Sequence, residues 1–203
     1  MNVVEQWQLA VEELSRKDSK IKEIISHYSG EKMALRGKPF ETLCRSIVGQ
    51  QISVKAADSV WTKVEKLCNG NINKKEIINL SSEEMRSAGL SKQKTAYLKN
   101  IAKSDVLTTN WEELSDVEAI EKLCTIKGVG VWTAEMFLIF NLARQNVLPL
   151  ADIGLIRGIE KHYYDSKRID RKELEIFRTK WSPWCTVATW YIWRSLDPIP
   201  VEY

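Results

Sequence analysis

Two helical patterns meet in the stretch Leu123-Cys-Thr-Ile-Lys-Gly-Val-Gly-Val-Trp-Thr-Ala-Glu-Met136. Gly128 and Gly130 flank one apolar residue there, and glycine lets a backbone turn sharply and bring its N–H groups against a ligand. One helical pattern later, Leu148-Pro-Leu-Ala-Asp152 places a carboxylate at the start of a helix, where aspartate is a preferred N-cap. These segments predict a turn suited to a phosphodiester, followed by a carboxylate held in a fixed direction.

Composition and charge set the broad class of protein. The chain has 203 residues, 44% of them hydrophobic, with a net charge of +3, so it is predicted to be globular and able to bind a polyanion. Its cysteines are scattered, which predicts reduced thiols rather than a zinc or iron–sulfur site: Cys44, Cys68, Cys124 and Cys185. It has no signal-peptide pattern and no run of about 20 apolar residues. We therefore expect a cytoplasmic protein, nucleoid-associated if the source is bacterial, with no membrane partner.

Apolar residues recur at helical spacing from end to end, and two-residue alternation is scarce. The pattern predicts an all-α fold. Its helices are predicted at about 3–15, 18–28, 39–49, 54–68, 82–88, 92–104, 116–125, 131–143, 153–164, 171–180 and 185–195. No linker rich in Ser, Gly or Pro divides the sequence, so residues 1–203 are predicted to form a single module.

The hairpin and the aspartate together resemble the helix-hairpin-helix (HhH-GPD) DNA glycosylase superfamily, whose signature is such a hairpin, a Gly/Pro-rich stretch and a catalytic aspartate. Two further segments look like family segments: Ser46-Ile-Val-Gly-Gln-Gln-Ile-Ser-Val-Lys-Ala-Ala57 and Met85-Arg-Ser-Ala-Gly-Leu-Ser-Lys-Gln-Lys-Thr-Ala-Tyr-Leu98. Trp181-Ser-Pro-Trp184 and Tyr191-Ile-Trp193 look like the alkylpurine branch. The sequence is most similar to the DNA-3-methyladenine glycosylase II family, without the N-terminal β domain of its larger members.

The resemblance implies an architecture of two packed helical subdomains, with the active site in the cleft between them. The central subdomain, which carries the hairpin, is expected at about residues 36–135. The second subdomain is expected to combine about residues 1–35 with 136–203.

The resemblance implies that Asp152 is the catalytic carboxylate and faces a nucleotide swung out of the duplex. Breaking an N-glycosidic bond develops positive charge on the deoxyribose, which a fixed negative group stabilises. Strand-cutting relatives carry a lysine two residues past the second glycine, where this chain has Trp132. The expected enzyme is therefore monofunctional and leaves an abasic site. Taken alone, an aspartate at a helix start is often only a cap, worth ~1 kcal/mol.

The resemblance also implies the residues that contact the lesion and the DNA. An electron-rich ring attracts a base made cationic by alkylation, at ~0.5–2 kcal/mol. The expected substrates are therefore alkylated purines such as 3-methyladenine and 7-methylguanine, in a base pocket formed by Trp132, Trp193 and Met136. The residues implied to contact double-stranded DNA lie in the hairpin and in a polar loop: Gly128, Val129, Gly130, Val131, Thr133, Gln50, Gln51 and Ser53. Gln51 is expected to fill the gap left by the flipped base.

No cofactor is expected to be required, although the hairpin can hold Na⁺ or K⁺ through the backbone carbonyls of Cys124, Ile126 and Val129, as the resemblance implies. We expect a monomer. Four lysines on one helical segment either touch phosphates or form a solvated face: Lys92, Lys94, Lys99 and Lys103. The solvated face is the favoured interpretation.

Three other functions stay open at this point. The chain could be a glycosylase for uracil, mismatched thymine or an oxidised purine, using the same hairpin and Asp152. It could be a noncatalytic DNA-binding protein that uses the hairpin only as a phosphate clamp. It could also be a helical interaction protein in which Asp152 is only a cap.

Overall fold

The computed structural model describes residues 2–35 and 38–197. The predicted module of residues 1–203 thus includes positions outside the described residues, namely 1, 36, 37 and 198–203. Within the described ranges the chain is all-α, as predicted, and contains no strand. It forms α1 (Trp7–Lys17), α2 (Ser19–His27), α3 (Pro39–Gly49), α4 (Val54–Leu67), α5 (Lys74–Asn79), α6 (Ser82–Ser87), α7 (Lys92–Lys103), α8 (Asp116–Cys124), α9 (Val131–Phe140), α10 (Ile153–Tyr163), α11 (Arg171–Trp181) and α12 (Cys185–Arg194). Two short 3₁₀ segments lie at Val106–Thr108 and Trp111–Glu113.

Polar side chains cap many of these helices. An oxygen of each capping side chain accepts a hydrogen bond from a backbone N–H in the first turn, which stabilises a helix by ~1 kcal/mol. The capping residues of α4, α5, α6, α7, α8, α10 and α11 are Ser53, Asn73, Ser81, Ser91, Ser115, Asp152 and Asp170.

The structure departs from the predicted helices in several places; α1, for example, begins at Trp7 rather than at residue 3. The helix α5 was not predicted, although Asn73 followed by Glu76 is a usable start signal. The helix α9 ends at Phe140 rather than near residue 143, because Ala143 adopts a left-handed backbone with φ 51° that no helix can continue through.

The described residues form two compact units. The terminal unit combines residues 2–35 with 138–197, and in it α12 packs against α1, α2, α10 and α11. The central unit comprises residues 38–137, and in it α3 packs against α4 and α7, while α7 also packs against α5 and α6. The most buried helix is α12, whose first nine residues are all buried.

The helix α10 is held along its length inside the terminal unit. Near its middle, Gly158 lies so close to α12 that a Cβ there would overlap the side chain of Ile192. At its C-terminal end, the hydroxyl of Tyr163 donates a hydrogen bond to the buried carboxylate of Asp18 at 2.7 Å. These contacts fix the helix whose N-terminus carries Asp152.

All four cysteines are free thiols, and three of them are buried. No helix in the described part of the chain is both long enough and apolar enough to cross a lipid bilayer.

Candidate active site and DNA-binding hairpin

Asp152 occupies the N-cap position of α10, and two donors fix its side chain. Its Oδ1 accepts one hydrogen bond from the backbone N–H of Leu155 at 2.6 Å and another from Nε1 of Trp193 at 2.8 Å. The donors come from different helices, so the carboxylate cannot rotate without losing one of them. Capping and fixing the direction of the carboxylate are therefore achieved by the same geometry.

Trp193 lies mostly inside the terminal unit. Its ring stacks on Phe140 with a centroid distance of 5.9 Å and an interplanar angle of 13°, and the residue is only 5% exposed. The role best supported by these contacts is orientation of the Asp152 carboxylate. The expectation that Trp193 lines a base pocket stays a prediction.

Gly154 is a residue of this site that sequence reasoning missed. A Cβ on Gly154 would lie 3.1 Å from Oδ1 of Asp152 and 3.2 Å from Cδ1 of Trp193. The glycine therefore leaves room for the hydrogen bond between these two side chains. The available signal was a glycine in the first turn of a helix, a residue type that costs about 1 kcal/mol relative to alanine in a helix interior.

In the central unit, the connection between α8 and α9 forms the predicted hairpin. The backbone N–H of Val129 donates to the carbonyl of Ile126 at 2.9 Å, which closes the turn. Gly128 has φ 109°, a left-handed value, and a Cβ on it would overlap the ring of Tyr97 on α7. The fold itself therefore requires glycine at position 128.

Gly130 differs from Gly128 in both respects. Its φ lies outside the left-handed region, and a Cβ on it would meet no atom of the described residues within 4 Å. Its carbonyl accepts the first helical bond of α9, from Ala134 at 3.0 Å, so the residue stands at the N-cap position of that helix. The next N–H groups of a helix have no acceptor within it and attract anions. Glycine at 130 is thus suited to close approach of an external anionic ligand.

The polar loop after α3 is held against the hairpin within the same unit. Nε2 of Gln50 donates to Oγ1 of Thr133 at 2.9 Å and to the carbonyl of Gly128 at 3.4 Å. Gln51 is exposed and has φ 58°, a conformation that costs a residue with a side chain about 1–2 kcal/mol. Ser53 caps α4. The loop therefore presents Gln51 to solvent in a strained backbone conformation.

Burial separates the predicted contact residues into two groups. Val131 is 54% exposed and Trp132 is half-buried, whereas the side chains of Val129 and Thr133 are buried, so these two could reach a ligand only through their backbone. Met136 has no exposed surface, which argues against the prediction that it contacts a base directly.

The three carbonyls predicted to hold a monovalent cation come from this hairpin. The Ile126 carbonyl already accepts from Val129, but a carbonyl oxygen has a second lone pair. Backbone carbonyls can replace the hydration shell of such ions. The carbonyl oxygens of Cys124, Ile126 and Val129 are therefore chemically suitable ligands for Na⁺ or K⁺. The presence of the ion stays a prediction.

The structure thus assembles two clusters, one in each unit. Asp152, Gly154 and Trp193 form the first, in the terminal unit. Gln50, Gly128 and Thr133 link the polar loop to the hairpin in the central unit.

Comparison with known proteins identifies the family. The profile of the HhH-GPD superfamily of base excision DNA repair proteins matches residues 44–183, a range that includes both the hairpin and Asp152. The chain belongs to this superfamily. Its HhH-GPD match therefore covers residues from both structural units.

Individual relatives in the superfamily have more specific names. DNA-3-methyladenine glycosylase 1 of Schizosaccharomyces pombe is 31% identical over 183 residues, which are 85% of this chain and 78% of the yeast protein. A solved structure of the S. pombe 3-methyladenine DNA glycosylase in complex with abasic DNA has a TM-score of 0.82 and 32% identity, covering 92% of this chain and 95% of that one. The DNA-3-methyladenine glycosidase of Bacillus halodurans has a TM-score of 0.71 and 35% identity, covering 92% and 88%.

Proposed function

We propose that this HhH-GPD protein is a monofunctional DNA glycosylase that removes alkylated purines from double-stranded DNA and leaves abasic sites. The observation that carries the proposal is the Asp152 carboxylate, which Leu155 and Trp193 hold in one direction. A carboxylate that served only as a helix cap would need only the hydrogen bond from the backbone N–H of Leu155. The second donor, from 41 residues further along the chain, supports a role in which the direction of the carboxylate matters.

The proposed chemistry follows from the charge of Asp152. As the bond between C1′ and the base nitrogen breaks, its electron pair leaves with the base and the deoxyribose becomes positively charged. A carboxylate fixed beforehand stabilises that transition state without having to reorient. Water then bonds to C1′ and loses a proton, which gives the abasic sugar. A strand-cutting reaction needs an amine nucleophile, and Trp132 stands where strand-cutting relatives have lysine.

DNA binding is assigned to the central unit. The first turn of α9, preceded by Gly130, offers N–H groups to a phosphate, and Gln51 fills the space left by the extruded nucleotide. The S. pombe structure with abasic DNA supports a DNA ligand for this fold. We also propose that the protein is a monomer and that a Na⁺ or K⁺ ion binds in the hairpin. We propose that the protein is located with the cell's DNA, and in a bacterium this location is cytoplasmic and nucleoid-associated.

The alkylated-purine specificity rests on the names of the relatives and on Trp132, whose half-buried side chain can contact a cationic base. A panel of duplexes tests it, each carrying 7-methylguanine, 1,N⁶-ethenoadenine, uracil, mismatched thymine or 8-oxoguanine. We expect strand breaks only with an alkylated purine and only after alkali treatment. Breaks at uracil, thymine or 8-oxoguanine alone would assign another lesion, and DNA binding without breaks in any duplex would assign a noncatalytic clamp.

Replacing Trp193 tests its proposed role in orienting Asp152. Trp193→Phe keeps an aromatic ring against Phe140 but removes the N–H donor. A hydrogen bond to a charged group is worth about 1.5–3 kcal/mol, so we expect the single-turnover rate to fall at least about tenfold. Trp184→Phe is the matched control, because Nε1 of Trp184 donates to the carboxylate of Glu13 at 2.8 Å in the same unit. An equal loss of rate in both variants would contradict the orienting role.

A further inference from the structure

Helix α7 contacts both of the elements assigned to DNA, and all three lie in the central unit. Nζ of Lys94 donates to the backbone carbonyls of Val48 at 2.7 Å and Gln50 at 2.8 Å, at the C-terminal end of α3. On the following turns of α7, the ring of Tyr97 covers Gly128 and Nδ2 of Asn100 donates to the carbonyl of Lys127 at 2.9 Å. One helix thus holds the polar loop at one point and the hairpin at two.

The bonds of Lys94 act on the backbone that sets the conformation of Gln51. The Gln50 carbonyl belongs to the peptide bond between Gln50 and Gln51, so a donor on this oxygen fixes the plane from which φ of Gln51 is measured. That φ is 58°, a value that a residue with a side chain adopts only when its surroundings impose it. Lys94 donates to the carbonyl oxygen of that peptide bond from a neighbouring helix.

The setting of Lys94 differs from that of an ordinary surface lysine. Lys92 and Lys103 on the same helix are exposed, whereas Lys94 is half-buried, and burial lowers the pKa of its ammonium group. Within the described residues its charge is met by carbonyl oxygens and by no carboxylate. Carbonyls at a helix C-terminus attract a cation, so this position suits the ammonium. The sequence-based preference for a solvated lysine face is therefore wrong for Lys94.

We propose that Lys94 is a positioning residue that holds Gln51 in its left-handed conformation and thereby supports extrusion of the damaged nucleotide. The inference rests on the proposed glycosylase function. Gln50 contributes to the same arrangement, because its side chain ties the loop to Thr133 and Gly128. The hairpin that binds phosphate and the loop that inserts Gln51 are then held at a fixed distance from each other. Lys94 affects only the insertion of Gln51.

The test compares Lys94→Met with Lys92→Met, which removes the same charge from an exposed position of α7. For Lys94→Met we expect a single-turnover rate of base release from a 7-methylguanine duplex at least about tenfold lower than wild type, since loss of a hydrogen bond made by a charged group costs at least this factor. Its Kd for a duplex with a tetrahydrofuran abasic analogue should stay within twofold, because no base has to leave the stack. Lys92→Met should match wild type in rate.

Two results would overturn the inference and leave the proposed function intact. A wild-type rate for folded Lys94→Met would mean that Lys94 has only a structural role. If Lys94→Met weakened binding to the 7-methylguanine duplex and to the abasic duplex equally, and reduced the slope of log affinity against log salt by about 0.9, Lys94 would be a phosphate contact. Absence of base release by the wild-type protein would overturn the function and the inference together.

A double variant tests whether Lys94 acts through Gln51. If it does, Lys94→Met in a Gln51→Ala background slows base release by less than twofold. A full tenfold further loss would mean that Lys94 acts independently of Gln51, against the inference. If Lys94→Met does not fold, Lys94→Gln is used in the same cycle, since glutamine can still donate hydrogen bonds but has a shorter side chain and no charge.

Discussion

Asp152→Asn is expected to lower the single-turnover rate of base release on the order of 100-fold or more, because it removes one preorganised electrostatic stabiliser of the transition state. Asparagine retains an oxygen that can accept the hydrogen bonds from Leu155 and Trp193. The substitution therefore removes charge and leaves the geometry in place. The Kd for a duplex containing an abasic analogue should stay within about twofold, since we propose that the hairpin of the central unit makes the phosphate contacts.

Asp170→Asn is the matched control for that measurement. Asp170 is also an N-cap, and its Oδ1 accepts from the backbone N–H of Glu173 at 2.9 Å at the start of α11. The same chemical change at that cap should leave the rate of base release unchanged. If both variants were equally slow, loss of a helix cap would explain the effect, and Asp152 would have no special role in the reaction.

We expect alanine at Gly128 to act mainly on folding and alanine at Gly130 to act mainly on DNA binding. Gly128→Ala puts a side chain into a left-handed backbone and into the ring of Tyr97, so it should lower the free energy of unfolding by about 2–4 kcal/mol. Gly130→Ala meets no neighbour and should lower it by only about 0.5 kcal/mol, since alanine is a poorer N-cap than glycine. Its methyl group would instead face the phosphate that we propose binds there, and DNA affinity should fall at least about tenfold through lost charge-assisted hydrogen bonds.

Chemical unfolding and DNA titrations of both variants check this contrast. Gly70→Ala is the control for backbone strain alone, because Gly70 has φ 76° and a Cβ there meets no described atom within 4 Å. We expect it to lose about 1–2 kcal/mol of stability and no DNA affinity. Unchanged DNA affinity in Gly130→Ala would contradict the assignment of the first turn of α9 to a phosphate.

Local signals in the sequence were sufficient for the helical fold and for the main features of the candidate site. Helical spacing of apolar residues predicted most of the helices, and a cap followed by a periodic stretch predicted Asp152 at the start of α10. The glycine spacing predicted the hairpin between α8 and α9. Each of these features depends on residues within a few positions of one another, so one sequence carries the information.

Interactions between distant segments could not be predicted in this way. Nothing local indicates that Trp193 donates to Asp152, 41 positions earlier, or that Lys94 reaches Val48 and Gln50, 46 and 44 positions earlier. Periodicity placed Lys94 on a polar helix face, and only packing of α7 against α3 turned its ammonium group inward. Met136 was assigned to the base pocket by resemblance, but packing buried it completely.

The most direct test is identification of the free bases that wild-type protein and Asp152→Asn release from methylated duplex DNA, by chromatography and mass spectrometry. We predict that the wild type releases 3-methyladenine or 7-methylguanine and that Asp152→Asn releases the same bases on the order of 100-fold more slowly or not detectably. Equal release by both proteins, or none by folded wild type that binds the DNA, would contradict base excision through Asp152.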